Sequence, residues 1–251
     1  MKAFLIALQF LSRIHLASQS VWRDEDFGRS VLFFPLVGLI IGLLLAALYW
    51  ASSFLFDAFG RSALVVAFWF YLTGGLHADG YMDTAGGPFF RARGGERMLE
   101  ILKDSRVGAG GVTAFVFLVL LKVAFLSQLA PEAALPALVG IPAAARFGTL
   151  ISIFQFPYAR EQGLGRAFVT YAPAHTVEKA LVLALVPVFF CGPFYLALLG
   201  AAMLLSLWAN SRISRKLGGV TGDTYGAVLE GSEMALLLMT AVGSKLADFL
   251  L

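Results

Sequence analysis

Long apolar runs alternate with shorter polar segments along almost the whole chain. A helix that crosses a membrane needs ~20 predominantly apolar residues. The apolar segments cover residues 30–56, 62–73, 112–130, 137–156, 177–190, 194–211 and the stretch from 227 to the C-terminus. The pattern therefore predicts about seven transmembrane spans.

The first twenty residues have a different pattern. Their apolar side chains recur at helical spacing, at Phe4, Leu5, Leu8, Leu11 and Leu16, which predicts one apolar helix face. Polar residues interrupt the apolar run, and no small-residue cleavage site follows it, so the segment does not resemble a signal peptide. We expect an amphipathic helix that lies in the membrane interface.

Basic residues in the connections predict the topology. The N-terminal segment and the three long polar interruptions at 77–106, 157–175 and 211–227 are rich in Lys and Arg, whereas the short connections at 57–61, 131–136 and 191–193 carry only Arg61. The positive-inside rule then places every long interruption in the cytoplasm and the C-terminus outside.

The predicted fold is all-α: a polytopic membrane helix bundle of three hairpins plus a final helix, preceded by the interfacial helix. No internal repeat or linker divides the chain, so we expect one integral membrane domain over residues 1–251.

Composition supports the membrane assignment and excludes some partners. Of 251 residues, 59% are hydrophobic and 14% charged, against about 25% charged in soluble domains. Mean hydropathy is +0.81. No dense Lys/Arg patch accompanies the net charge of +3, so nucleic acid is not an expected partner, whereas the lipid bilayer is. The single cysteine excludes an internal disulfide.

The segment GGLHADGYMDTAGG at 74–87 follows the second apolar run and carries His77, Asp79 and Asp83. If it is helical, the two aspartates share one face with Cβ atoms roughly 6 Å apart. That arrangement suits Mg²⁺, which binds through one or two carboxylates and fills its coordination sphere with water and substrate phosphate. A simple Asp-Gly turn at 79–80 and a helix cap at Asp83 are the structural alternatives.

Further candidates lie at the ends of other apolar segments. Lys103, Asp104 and Arg106 offer cations for phosphate and a third carboxylate, although Lys and Arg also stabilise helix C-termini. Asp223 is a candidate ligand or a helix cap. Carboxylates inside apolar segments usually face a cavity or a partner, which makes Glu230 and Glu233 candidates for ligand or cofactor binding.

Several catalytic signatures are absent from the sequence. It contains no GxxxxGK[ST] phosphate loop, no HExxH zinc helix, no G-x-S-x-G nucleophile motif and no C-x-x-C pair. These absences exclude P-loop ATP-driven transport, zinc proteolysis of the HExxH type and serine hydrolysis of the α/β-hydrolase type.

Four motifs in order, GGLHADGYMDTAGG, LEILKDSRVGAGG, YAREQGLG and LGGVTGDTYGAVLEGSE, resemble the cobalamin 5′-phosphate synthase family, whose members are adenosylcobinamide-GDP ribazoletransferases. The similarity covers nearly the whole chain. It implies a magnesium-dependent integral membrane transferase, and the topology predicted from the loop charges places its active site on the cytoplasmic face of the cell inner membrane. The implied reaction of cobalamin biosynthesis joins adenosylcobinamide-GDP to α-ribazole or α-ribazole 5′-phosphate and releases GMP.

The sequence departs from the family pattern D-G-x-x-D-x-x-D-G at one position, because Gly86 stands where the third aspartate is usual. Asp104 or Asp223 completes the metal site, or the third aspartate matters less than the first two; the residues leave both alternatives open.

The resemblance and the residues together predict a division of roles. Asp79 and Asp83 bind Mg²⁺, while Lys103 and Arg106 stabilise charge on the phosphate oxygens. Asp104 or His77 accepts the proton of the attacking hydroxyl, and Asp223, Glu230 and Glu233 bind ligand. A homo-oligomer and association with other cobalamin-assembly enzymes are both left open.

Two other functions fit part of the pattern. A CDP-alcohol phosphotransferase of lipid metabolism also places aspartates on a membrane helix, but Thr84-Ala85-Gly86 lacks the arginine of that motif. An ion-coupled transporter usually places its carboxylates near the bilayer midplane, whereas these aspartates cluster at the end of an apolar run.

Overall fold

The computed structural model describes residues 1–16, 23–86, 99, 102 and 108–250, and these residues form helices and connections. The α-helices are α1 (Lys2–Leu11), α2 (Asp24–Ser30), α3 (Phe34–Ser52), α4 (Ala58–Leu72), α5 (Leu76–Gly86), α6 (Ala109–Ser127), α7 (Pro131–Gln155), α8 (Leu164–Tyr171), α9 (Thr176–Ala184), α10 (Val188–Cys191), α11 (Phe194–Leu217) and α12 (Gly222–Leu250). A 3₁₀ turn at Val31–Phe33 joins α2 to α3. The predicted all-α class is confirmed.

Within the described residues, five helical segments are long and apolar enough to cross a membrane: Asp24–Ser52, Ala109–Ser127, Pro131–Gln155, Phe194–Leu217 and Gly222–Ala247. Two bent pairs raise the number to as many as seven: α4 with α5, bent by 96°, and α8 with α9–α10, bent by 101°. The expected number of about seven spans therefore agrees with the structure, but the two sharp bends were not predicted.

Helix α7 forms the centre of the bundle, and 94% of its most apolar 18-residue stretch is buried. A Cβ atom added at Gly42 would lie 2.6 Å from the Leu138 carbonyl oxygen, and Gly38 approaches the backbone of Pro142 and Ala143 equally closely. On another side, α7 packs against α11, where Gly148 faces Ser206 and Ala202. Small residues thus let α3 and α11 pack tightly against one helix, as is common in membrane bundles.

Two predicted boundaries are wrong. Residues 131–136, predicted as a connection, are the first turns of α7, because Pro131 occupies the favoured first position of a helix and Pro136 is tolerated inside it. The predicted polar interruption at 211–227 is mostly helical. Helix α11 continues to Leu217 and ends where Gly218 adopts φ +76° and bonds the Ser214 carbonyl, and α12 begins at Gly222.

The predicted fifth span at 177–190 is also interrupted. Helix α9 ends at Ala184 and α10 begins at Val188. Pro187 lies between them, and a proline lacks the N–H that a continuous helix needs. Together with α8, these helices form the second bent pair.

The long polar interruptions meet at one end of the bundle, as the topology predicted. Val220 donates to the Pro157 carbonyl (2.8 Å) and Ala159 donates to the Val220 carbonyl (2.9 Å), which joins the second interruption to the third. Arg160 Nη2 donates to the carbonyl of Leu102 in the first interruption (3.3 Å). The cytoplasmic location of this end stays a prediction.

The N-terminal helix α1 is present, and its Ile6, Leu8 and Leu11 side chains are buried in the core. Lys2 Nζ bonds Asp26 of α2 at 2.5 Å. One face of α1 is therefore held by the bundle; its interfacial position stays a prediction.

Candidate functional site

The site is built where α5 crosses the start of α12. Two consecutive glycines with positive φ, Gly74 (+66°) and Gly75 (+73°), turn the chain between α4 and α5. A Cβ atom added at Gly80 would lie 2.5 Å from the Asp223 carbonyl oxygen, and one at Gly226 would lie 2.9 Å from the His77 carbonyl oxygen. This close backbone contact brings the acidic segment of α5 to the N-terminal turn of α12.

Asp79 and Asp83 lie one turn apart on α5, as their spacing predicted. Asp79 is exposed and Asp83 is partly buried. The charges that act on the Asp83 carboxyl are those of Asp79, Asp223 and Arg160. We call these four residues the acidic cluster, and it holds three carboxylates and one guanidinium.

Asp223 is held in place by Arg160. Its Oδ2 accepts a hydrogen bond from Arg160 Nη2 at 2.7 Å, and both side chains are about three-quarters buried. Thr221 and Thr224 cap the first turn of α12, since Thr224 Oγ1 accepts from the Thr221 N–H at 2.8 Å and Thr221 Oγ1 accepts from the Thr224 N–H at 3.3 Å. The Asp223 carboxylate does not cap the helix; it bonds Arg160 and accepts a longer hydrogen bond from Thr221 Oγ1 at 3.5 Å.

A cavity of 260 Å³ opens beside this cluster. Asp79, Asp223 and Arg160 provide charged groups, and the apolar wall is largely aromatic, formed by Phe10, Phe34, Phe168, Tyr158 and Tyr225. Burial raises the pKa of Tyr158 above its usual value, while the nearby Arg160 charge opposes the shift. Tyr158 is therefore a neutral phenol at neutral pH.

Arg146 and His77 also line the cavity. Arg146 is fully buried on α7, and His77 is 7% exposed at the start of α5. His77 Nδ1 is buried without a hydrogen-bond partner among the described residues, as are Nε and Nη2 of Arg146. The cavity thus carries polar groups whose hydrogen-bonding capacity is unused by the protein.

Glu230 and Glu233 take part in a buried ion network that spans α6, α7 and α12. Lys122 Nζ bonds Glu230 Oε2 (2.5 Å) and Glu233 Oε2 (2.7 Å), and Arg146 Nη1 bonds Glu233 Oε1 (3.2 Å). The ammonium of Lys122 also lies 4.6 Å from the centre of the Trp69 ring, where a cation is favoured. Both carboxylates are held by cations of the chain, and their predicted role in ligand binding stays a prediction.

Gly86, which departs from the family pattern, is a packing residue. A Cβ atom added there would lie 2.5 Å from the Gly111 nitrogen and 2.6 Å from the Gly111 Cα atom, at the crossing of α5 and α6. An aspartate side chain has no room at this position. Gly86 therefore permits close backbone packing between α5 and α6.

The remaining candidates, Lys103, Asp104 and Arg106, lie outside the described residues. Within the described ranges, no three His, Cys, Asp or Glu side chains come together in a geometry that would hold a metal ion. A pair of carboxylates is nevertheless sufficient for Mg²⁺ that is also bound by substrate phosphate. Among the described residues of the cluster, carboxylates outnumber cations, which suits such an ion.

Sequence reasoning missed Lys122 and Arg146 and treated Arg160 as one loop cation among several. A signal for the first two was available. Lys122 and Arg146 are each the single cation of an apolar segment, and the last apolar segment carries Glu230 and Glu233. Charged residues inside membrane segments normally pair with one another. Arg160 required knowledge of how the interruptions meet.

Comparison with known proteins gives consistent results. The family model described as cobalamin-5-phosphate synthase matches residues 3–241. A Brevibacillus brevis adenosylcobinamide-GDP ribazoletransferase is 37% identical over 250 residues, covering 97% of this chain and 99% of the relative. The proteins of that name from Roseiflexus sp. and Clostridioides difficile are 39% and 33% identical, covering 92% and 95% of this chain and 86% and 96% of their own lengths. No solved structure matches.

Proposed function

The chain belongs to the cobalamin-5-phosphate synthase family, and we propose that it is a membrane transferase that joins adenosylcobinamide-GDP to α-ribazole or α-ribazole 5′-phosphate and releases GMP. Relatives named for this activity cover more than nine-tenths of the chain. The structural observation that carries the proposal is a charged cluster beside an aromatic cavity: Asp79, Asp223 and Arg160 line the cavity, and their charges act on the nearby Asp83 carboxyl. The family membership sets aside the CDP-alcohol phosphotransferase and the transporter.

Asp79 and Asp83 would hold Mg²⁺. Mg²⁺ held there would neutralise negative charge on the diphosphate oxygens and so make the attacked phosphorus more electrophilic. The two carboxylates are suited to this because they share one face of α5, and because the described part of the cluster has more negative than positive groups. Asp223 is close enough to act on Asp83 but is already bonded to Arg160.

The reaction forms one bond and breaks another at the same phosphorus. A ribose hydroxyl of α-ribazole attacks the corrinoid-proximal phosphorus, the bond from this phosphorus to the bridging oxygen breaks, and GMP leaves with that oxygen. The hydroxyl proton passes to Asp104 or His77. Cations stabilise the charge that spreads over the phosphate oxygens, and we assign this role to Lys103, Arg106 and, from its position, Arg160.

The proposed site lies on the cytoplasmic face of the cell inner membrane. The support is the positive charge of the polar interruptions, which meet at the end of the bundle that carries the site. A reporter fused to the C-terminus that is active only in the cytoplasm should be silent, and an active reporter would contradict this topology. Copurification from native membranes would test association with a second copy or with other cobalamin-assembly enzymes.

The proposed reaction is tested with the detergent-solubilised protein, adenosylcobinamide-GDP and α-ribazole, with and without Mg²⁺ and chelator. We expect GMP release only with Mg²⁺, and loss of GMP release in Asp79→Asn and Asp83→Asn. Asp57→Asn is the matched control. Asp57 caps the N-terminal end of α4, the end away from the site, and Asn caps a helix about as well as Asp. Near-normal turnover in both site variants would refute the metal role, and absence of GMP release from the unmodified protein would refute the reaction.

A further inference from the structure

Arg146, one of the residues that line the cavity beside the acidic cluster, is fully buried, and the protein uses only part of its hydrogen-bonding capacity. Arg146 Nη1 donates to the Pro142 carbonyl (3.0 Å) and to Glu233 Oε1 (3.2 Å). Nε and Nη2 are buried and have no partner among the described residues. These two nitrogens lie on the same edge of the planar group, so Arg146 retains a complete pair of parallel N–H donors.

Such a pair is costly to bury unused. A buried donor without an acceptor costs free energy comparable to a lost hydrogen bond, and native proteins seldom tolerate it without a reason. Because Arg146 lines the cavity, a bound ligand can supply the two acceptors. The ligand must then present two acceptor atoms side by side.

The charges around Arg146 favour a neutral acceptor over an anionic one. Lys122 and Arg146 contribute two positive charges, and Glu230 and Glu233 contribute two negative charges. The network is therefore neutral, and a phosphate anion placed on Arg146 would be buried without a net counter-charge, which is expensive. A neutral ligand with two adjacent acceptors avoids this cost.

The shape and lining of the cavity favour a flat aromatic group. Its volume of 260 Å³ is close to the ~300 Å³ lower bound of ordinary ligand pockets, which suits a nucleobase rather than a whole nucleotide-linked corrinoid. Phe10, Phe34 and Phe168 are arranged edge-to-face or stacked with one another on one wall, and Tyr158 and Tyr225 lie on another. Aromatic walls are the usual surroundings of a stacked base.

We propose that Arg146 recognises the guanine base of the GDP-linked substrate, through the neighbouring O6 and N7 acceptors of the purine. A bidentate contact to these two atoms is the commonest way in which arginine recognises guanine in DNA. The base would lie in the aromatic cavity, with the diphosphate at the mouth beside Asp79 and Arg160. This inference rests on the proposed function and deepens it by naming the residue that selects the nucleotide.

Purine monophosphates provide a direct test with the full-length protein in detergent. GMP and IMP both carry O6 and N7, whereas AMP replaces O6 with an amino donor. We expect GMP and IMP to raise the thermal unfolding temperature and to compete with substrate roughly tenfold or more better than AMP. Equal effects of GMP and AMP would overturn the proposal, as would an effect of inorganic phosphate alone that equals that of GMP.

Variants test whether Arg146 is the residue responsible. Arg146→Lys keeps the charge beside Glu233 but loses the paired donors, so we expect the preference for GMP over AMP to disappear and the KM for adenosylcobinamide-GDP to rise. The matched control is Arg61→Lys, because Arg61 contacts Tyr49 at the far end of α4 and should change neither. A second variant, Arg146→Gln with Glu233→Gln, leaves the neutral Lys122–Glu230 pair intact and should lose the same preference if the lysine variant does not fold.

The outcomes separate this inference from the proposed function. If the unmodified protein releases GMP from adenosylcobinamide-GDP but Arg146→Lys keeps the preference for GMP over AMP, the reaction stands and the role of Arg146 is wrong. A rise in KM confined to α-ribazole 5′-phosphate, with no change for α-ribazole, would show that Arg146 binds a phosphate and would also overturn the proposal. Absence of GMP release under all conditions would refute the reaction itself.

Discussion

Two groups of charged residues lie near the cavity, and they are built in opposite ways. The inner network of Lys122, Arg146, Glu230 and Glu233 is buried, and its two cations match its two carboxylates. The outer cluster of Asp79, Asp83, Asp223 and Arg160 is partly exposed, and its described members carry three carboxylates against one cation.

The difference separates a structural role from a chemical one. A network whose charges balance needs no further ion, and it joins three helices that would otherwise bury lone charges. An unbalanced cluster at a cavity mouth has capacity for a cation or a substrate. Arg146 belongs to the inner network and also lines the cavity beside the outer cluster. Its Nε and Nη2 atoms have no partner among the described residues.

The largest expected effect on activity is in the outer cluster. Replacing Asp83 with Asn should reduce GMP release by about 100-fold or more, because the charge stabilisation supplied by a bound metal ion is worth several kcal/mol and each ~1.4 kcal/mol is tenfold in rate. The thermal unfolding temperature should change little, because Asp83 is partly exposed. A variant that retains activity, or one that loses its fold, would break the contrast between the two groups.

The largest expected effect on stability is in the inner network. Lys122→Met leaves Glu230 without a cation and Glu233 with only Arg146, and breaking a buried ion pair costs about 3–5 kcal/mol. The measurement is unfolding of the purified protein in detergent, followed by helical circular dichroism.

The double variant Lys122→Met with Glu230→Gln is the control for that loss. It removes one positive and one negative charge and keeps the Arg146–Glu233 pair. We expect it to be more stable than the single variant, because no lone carboxylate stays buried. If the double variant is as unstable as the single one, the network acts through packing rather than charge balance.

The sequence predicted the outer cluster better than the inner network. Asp79 and Asp83 are four residues apart, so local helix geometry alone places them on one face. Glu230 and Glu233 were recognised as unusual, but their partners Lys122 and Arg146 lie 108 and 87 residues away along the chain. Pairing over such separations depends on which helices are neighbours, which single-chain periodicity does not reveal.

The helices show the same limit. The number and class of the apolar segments followed from composition, because a membrane helix needs little more than a long apolar run. The bend after α4 depends on Gly74 and Gly75, which adopt positive φ. The early start of α7 depends on Pro131, and a proline is as typical of a turn as of the first residue of a helix. Residues whose conformation is set by neighbours were therefore the ones predicted wrongly.

A moderate effect is expected at the α5–α6 crossing. Gly86→Asp restores the family pattern but places a side chain against Gly111, where even a Cβ atom would lie 2.5 Å from the backbone nitrogen. Overpacking of this kind costs about 1–3 kcal/mol, so the variant should be less stable and no more active. Gly86→Ala separates the effect of bulk from that of charge, and a stable, more active aspartate variant would show that the crossing can open to admit a third ligand.

The smallest expected change in stability is at Arg160 of the outer cluster. The Arg160–Asp223 pair is about one-quarter exposed at each side chain, so breaking it should cost less than breaking the fully buried pairs of the inner network. Arg160→Gln should therefore unfold almost normally, whereas its loss of activity should be clear if the guanidinium also contacts a phosphate. Asp223→Asn provides the matched comparison, because it breaks the same ion pair from the other side and leaves Arg160 free for substrate. If both variants lose the same activity, Arg160 acts by positioning Asp223; if Arg160→Gln loses much more, its charge acts on the substrate directly.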